Sequence, residues 1–180
     1  SFTGLSITPE ADFNGQLTVP VTISDLDNVS QSFNASITVN AVNDQPRITG
    51  QSSISINEDN DYLLNLNDID IIDIDSSDFT LSALTGLNYS LSGNLLIVNN
   101  NYFGSLNVDI SVNDSTLDSE IFSLQIDVLP INDAPVIIGQ QPFSLNEDGI
   151  INIVLNLLQT SDIESDQLSI QYLPGNFYQI

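Results

Sequence analysis

Apolar and polar residues alternate with a period of two along most of the chain. Leu106-Asn107-Val108-Asp109-Ile110-Ser111-Val112 and Phe122-Ser123-Leu124-Gln125-Ile126-Asp127-Val128 show it most clearly, and Leu17 to Ile23 and Phe33 to Val39 repeat it. Successive strand side chains point to opposite faces, so this pattern predicts strands buried on one side only. Further strands are predicted near 52–57, 62–66, 79–83, 87–91 and 95–98, with Ser92-Gly93-Asn94 as the tight turn between the last two. Ile150 to Leu158 is apolar and β-branched and reads as a core strand. No segment carries a convincing helical stripe.

The pattern recurs without a gap at a displacement of 89 positions. Gly15-Gln16-Leu17-Thr18-Val19 becomes Gly104-Ser105-Leu106-Asn107-Val108, and Val42-Asn43-Asp44-Gln45-Pro46 becomes Ile131-Asn132-Asp133-Ala134-Pro135. Asn57-Glu58-Asp59 likewise maps onto Asn146-Glu147-Asp148, and Asp73-Ile74-Asp75 onto Asp162-Ile163-Glu164. A long gap-free period implies stacked copies of one domain. The division it predicts is 1–49 as the second half of one repeat, 50–138 as a complete repeat, and 139–180 as the first half of a third. Seven short strands per period suit an immunoglobulin-like sandwich. Pro46 and Pro135 close each period, because proline cannot donate to a sheet ladder and biases its predecessor toward an extended conformation.

Charge narrows the class. Asp and Glu number 24 against a single basic residue, Arg47, so the formal net charge is −23 and nucleic acid and anionic membrane surfaces are excluded as partners. A hydrophobic fraction of 41% separates the chain from the polar, highly charged sequences that stay disordered. No stretch approaches the roughly 20 apolar residues of a membrane span, so no direct membrane insertion is expected. Cysteine is absent, which removes disulfides and thiolate chemistry. Histidine is absent too, and the one basic residue is an arginine, so imidazole bases and amine nucleophiles are missing and no enzymatic role is expected.

The Val-Asn-Asp-(Gln/Ala)-Pro linker, the Asn-Glu-Asp about a dozen residues later and the following Asp-x-Asp together resemble the cadherin-like tandem repeats of bacterial surface adhesins and secreted multidomain proteins. That resemblance spans the chain. It implies an all-β fold of tandem seven-stranded Greek-key sandwiches, immunoglobulin-like and cadherin-like, joined by short linkers. It also implies calcium ions held between consecutive domains. The first junction would use Asp44, Asp73, Asp75 and Asp114, with Glu10 and Asp12 from the preceding repeat. The second would use Glu58, Asp133, Asp162 and Glu164. Asn99 and Asn101 stand where Glu10 and Asp12 recur, and those two lost charges predict weaker or fewer ions at the second junction.

The residue chemistry agrees with calcium, which takes six to eight oxygen ligands in flexible geometry, whereas zinc and copper want nitrogen or sulfur. An EF-hand is excluded, because Asp78 replaces the glycine at loop position six and Leu84 the glutamate at position twelve. Two functions follow as expectations. The first is a calcium-stiffened spacer of a large adhesin at the cell surface or outside the cell, with adjacent repeats of the same chain as its partners. The second is a carbohydrate- or protein-binding module appended to a secreted hydrolase, making polysaccharide or homophilic contacts. Tyr62, Tyr89, Tyr102, Tyr172 and Tyr178 are read as sharing no register between copies, which weighs against an aromatic sugar-binding platform. Residues 1–51 and 141–180 together span one period, so as an isolated polypeptide each is expected to leave strand edges open for completion by another chain, whereas within a longer array no such pairing is needed.

Overall fold

The structure is a computed structural model that describes residues 6–25 and 27–178. The protein is all-β. In chain order the strands are β1 (Gly15–Val21), β2 (Phe33–Val39), β3 (Arg47–Gln51), β4 (Ile54–Asn57), β5 (Tyr62–Leu63), β6 (Ile69–Ile72) and β7 (Thr80–Ala83). There follow β8 (Tyr89–Ser92), β9 (Leu95–Val98), β10 (Gly104–Asn113), β11 (Phe122–Leu129), β12 (Val136–Gln140) and β13 (Leu158–Ser161). A four-stranded sheet runs β4-β11-β10-β7 and a three-stranded one β5-β9-β8, while β3 pairs β6, β1 pairs β2 and β12 pairs β13. No helix among the described residues is long and apolar enough to cross a membrane.

The alternating runs become the core strands for the anticipated reason. Leu106, Val108, Ile110 and Val112 of β10 and Leu124, Ile126 and Val128 of β11 are buried, while the residues between them face outward. Apart from Pro46, every fully buried apolar side chain among the described residues lies between Ile54 and Val128. Gly93, at φ +62, supplies the left-handed turn conformation between β8 and β9.

Packing divides the residues into two compact units, each assembled from separated segments. One contains the chain up to Ser52 with Asn65–Ala83 and Asp109–Phe122; the other contains Ser53–Leu64, Leu84–Val108 and the chain from Ser123 onward. The first holds β1–β2, β3–β6 and the β7–β10 pairing from Thr80 to Ala83. The second holds β5-β9-β8, β12–β13 and the parallel β4–β11 pairing, in which Ile54 faces Ile126 and Ile56 faces Val128.

The 89-residue displacement reappears in the backbone. It carries β1 onto the first part of β10, β2 onto β11, β3 onto β12 and β6 onto β13. The β3–β6 bulge between Ile48 and Gly50 recurs between Ile137 and Gly139. Left-handed residues recur as well: Asp12 and Asn101 at φ 63 and 58, Asp59 and Asp148 at 60 and 61, Asn88 and Phe177 at 68 and 69.

Three sequence expectations need correction. Ile150 to Leu158 is not a strand. Its apolar run ends in a 3-10 turn, Leu155–Leu157, that delivers the chain into β13, as Leu66–Asp68 delivers it into β6. The strand expected at 62–66 therefore stops at Leu63, and Asn65 caps the turn, its side chain accepting from the Asn67 N–H at 2.9 Å while the Asp68 carboxylate accepts from the Asn65 N–H. Strands β3 and β6 were hidden by composition: β3 follows a proline and contains a glycine, and β6 sits in an aspartate-rich run. A Cβ at Gly50 would lie 2.8 Å from Asp70 Oδ2, so that carboxylate would have to move aside.

The tyrosines do share one register. Tyr89 Oη donates to the Leu84 carbonyl at 2.7 Å and, 89 positions on, Tyr178 Oη donates to that of Leu173. Each ties down its own turn; Tyr89 is buried there, a structural pin, while Tyr178 is 54% exposed.

Candidate metal centre

The first acidic set gathers where the Asn43-Asp44 linker meets the turn after β6. The Asp44 N–H points at the Asp75 carboxylate, 3.4 Å from both oxygens. Asp73 Oδ1 accepts from the N–H groups of Asp75 and Ser76 at 2.9 and 2.8 Å, a local turn that leaves Oδ2 buried without a hydrogen-bond partner. Asp114, in the loop after β10, accepts from Thr116 and Leu117 N–H on Oδ1 and from the Asn43 carboxamide on Oδ2, the last at 2.8 Å. Asp12 joins Asp44 and Asp75 in lining a cavity of about 270 Å³ with Phe13, Ala41 and Ile74. Glu10 does not line it; it is exposed on the preceding turn, its carbonyl accepting from the Phe13 N–H.

The second set converges more tightly. Glu58, Asp133 and Glu164 each place a carboxylate oxygen within 4.8 Å of the other two. Glu58 is 0% exposed, at the end of β4, where its own N–H donates to the Leu129 carbonyl and its Oε1 accepts from the Ile131 N–H at 2.6 Å. Glu164 Oε2 accepts from the Asp133 N–H at 3.0 Å, the counterpart of the Asp44 to Asp75 contact. Glu58 Oε2, Asp133 Oδ2 and Glu164 Oε1 remain buried with no hydrogen-bond partner. Asp162 stands outside this trio, its Oδ1 engaged by the Asp166 N–H at 2.9 Å.

Buried polar oxygens without partners are rare and costly in folded proteins, and ionised ones more so. Carboxylates brought within 4.8 Å of one another repel wherever two of them carry charge. A cation among the three oxygens removes that cost and satisfies all three at once. Only carboxylate oxygens are offered, so the donor set fits a hard divalent ion.

Electrostatics in the first set separates its members. The Leu117 N–H and the Asn43 carboxamide hold Asp114 below the usual carboxylate range, outweighing the effect of burial. At Asp73, burial pushes upward, but the N–H groups of Asp75 and Ser76 together prevail and the carboxyl lies low. Asp75 is pushed up by lost hydration and by its hydrogen bond with Asp73, against the Asp44 N–H. A depressed carboxylate contributes stability that is full above its unfolded value and lost as pH falls through the folded one; Asp75 contributes in the opposite sense, favouring the folded state below its unfolded value. In chelator, Asp114→Asn is therefore expected to lose less stability than the unaltered chain between pH 7 and pH 3, read as the shift in urea midpoint. Equal losses would remove Asp114 from this account.

Sequence reading named every carboxylate of the trio but missed the groups that orient them. Asn43 bridges Asp114 and the Asp44 carbonyl, and its counterpart Asn132 reaches the Asp133 carbonyl at 2.9 Å. The recurring Asn-Asp pair was a signal for both. The Ile131 N–H left none, since any residue but proline supplies one.

Fold and site thus define an all-β protein with an oxygen-only acidic cluster in which Glu58 is buried and Asp133 and Glu164 are partly so. No family model and no curated protein matches the chain. Among solved structures, an endo-fucoidan hydrolase from glycoside hydrolase family 107 superposes over 72% of this chain with a TM-score of 0.39 and 18% identity. The chain spans 22% of that enzyme, and a likeness this slight carries no argument about fold or activity.

Proposed function

We propose that this chain is a run of calcium-stiffened spacer repeats from a large extracellular or cell-surface adhesin, built as tandem cadherin-like Greek-key sandwiches at 1–49, 50–138 and 139–180. The observation that carries this reading is the trio Glu58, Asp133 and Glu164 with its three unpartnered buried oxygens. In the repeat division, Glu58 belongs to the middle copy, Asp133 to the linker and Glu164 to the following copy. An ion held by all three couples consecutive repeats through a short linker. Asp44, Asp73, Asp75 and Asp114, with Asp12 beside them, are the matching ligand set at the preceding linker.

The trio of the second set, though that set lacks acids at Asn99 and Asn101, is the group whose carboxylates converge within 4.8 Å of one another. No catalytic role is proposed, because the acidic groups serve linkers and neither imidazole nor thiol is present. The mechanical claim is tested by small-angle scattering. Calcium is expected to lengthen the distance distribution relative to chelator by fixing the interdomain angle. An unchanged distribution, with pull-down on insoluble polysaccharide, would favour the binding-module alternative.

A further inference from the structure

Gly15 and its counterpart Gly104 enter β1 and β10 at φ +115 and +118, a backbone conformation that residues with a side chain rarely adopt. Glycine is thus dictated here by the entry into the strand, whereas the residue before it is free to vary: Phe103 precedes Gly104 and Asn14 precedes Gly15. The result is the one Asn-Gly step in the sequence. Asn14 is exposed, stands between the turn at 11–12 and the first residue of β1, and its carboxamide makes no hydrogen bond among the described residues. Phe103, at the equivalent position of the complete repeat, is still 40% exposed, so the exposure belongs to the position itself.

This arrangement favours attack of the main chain on the carboxamide, the reaction that makes asparagine a thermolabile residue. A following residue without a Cβ leaves its own nitrogen uncrowded and its backbone free to swing toward the preceding side chain. Gly15, opposite Val39, is also a ladder end, where local opening costs least, and a Cβ built on it would meet nothing within 4 Å, so the change of shape has room. The Gly15 nitrogen bonds to Asn14 Cγ, the Cγ–Nδ2 bond breaks, and the proton of the attacking nitrogen leaves with the carboxamide nitrogen as ammonia. The cyclic imide that remains takes up water at either carbonyl, and its opening leaves aspartate or isoaspartate at position 14.

We propose that Asn14-Gly15 is a self-modification site, whose slow loss of ammonia adds a carboxylate to the cavity that Asn14 lines together with Asp12, Asp44 and Asp75. The covalent step stands on the Asn-Gly arrangement alone; its consequence for cations rests on the calcium reading of the same acidic set. Before the reaction position 14 offers the cavity a neutral amide, and afterwards an anionic pair of oxygens. In chelator the added charge repels its neighbours, and with calcium it supplies a further ligand. The modified chain is therefore less stable without calcium and more responsive to it.

The two halves are tested separately. The full chain is incubated at physiological temperature and mildly alkaline pH, and its peptic peptides are followed by mass for the exchange of a carboxamide NH2 for OH. Conversion at Asn14 is expected to run several-fold faster than at Asn43 or Asn132, whose carboxamides bond to the Asp44 and Asp133 carbonyls, and to quicken as pH rises. Gly15→Ala is expected to slow it several-fold, and Asn14→Gln to abolish the signal at that position. Conversion at Asn14 no faster than at Asn43 and Asn132 overturns the proposal. In the second arm Asn14→Asp is expected to melt lower than the unaltered chain in chelator and to gain more from calcium. An unchanged calcium gain in Asn14→Asp overturns the link to the acidic set. A calcium gain missing from the unaltered chain as well overturns the calcium reading and this consequence with it, while the covalent step is judged by mass alone.

Discussion

Millimolar calcium should raise the melting temperature of the chelated chain by about 3–6 °C for each site that fills. Extracellular calcium modules bind at roughly 10⁻⁴–10⁻³ M, and at tenfold excess over the dissociation constant a site adds about 1.4 kcal/mol. In a chain of this size 1 kcal/mol moves the transition by about 2–4 °C. The gain falls on the native state, because the three carboxylates converge only there. Differential scanning calorimetry in chelator and in calcium measures the shift. Identical transitions would end the calcium reading of both acidic sets.

Glu58→Gln should abolish the share of that shift belonging to the second set, about 1.4 kcal/mol at the same calcium level. The amide keeps an oxygen for the Ile131 N–H and nearly the same volume, so what it removes is one of three mutually repelling charges. In chelator the variant should be at least as stable as the unaltered chain, since the repulsion with Asp133 and Glu164 is relieved. Calcium should then do less for it. Asp59→Asn is the control: the Asp59 carboxylate accepts from the Asn101 N–H and stands outside the trio, so the calcium shift should survive there. A Glu58→Gln chain that keeps the full calcium shift would show that the trio holds no ion. Glu58→Ala is the harsher change, because it also removes the acceptor of the Ile131 N–H whatever the ion does.

Much of the strand pattern was legible because burial on one face leaves a period-two trace. β10 and β11 are the clearest case, with each of the seven residues from Leu106 to Val112 and from Phe122 to Val128 alternating as the pattern requires. Where two local signals compete, the pattern fails. Ile69 to Ile72 is a strand inside a run of aspartates, and Leu155 to Leu157 is a 3-10 turn inside an apolar run, because pairing with β3 and β12 decided conformations that propensity did not.

The sequence by itself determined the period of 89, the half-buried strands of the core, and a donor inventory made of oxygen, because these depend only on which residue types stand where. Tertiary structure alone decided which carboxylates meet. Glu58, Asp133 and Glu164 are far apart along the chain, and nothing local distinguishes them from Glu147 or Asp162. They become a candidate site because the chain brings an oxygen of each within 4.8 Å of the others and leaves one oxygen on each buried without a donor. Proximity and desolvation are properties of the folded arrangement, and no residue carries them alone.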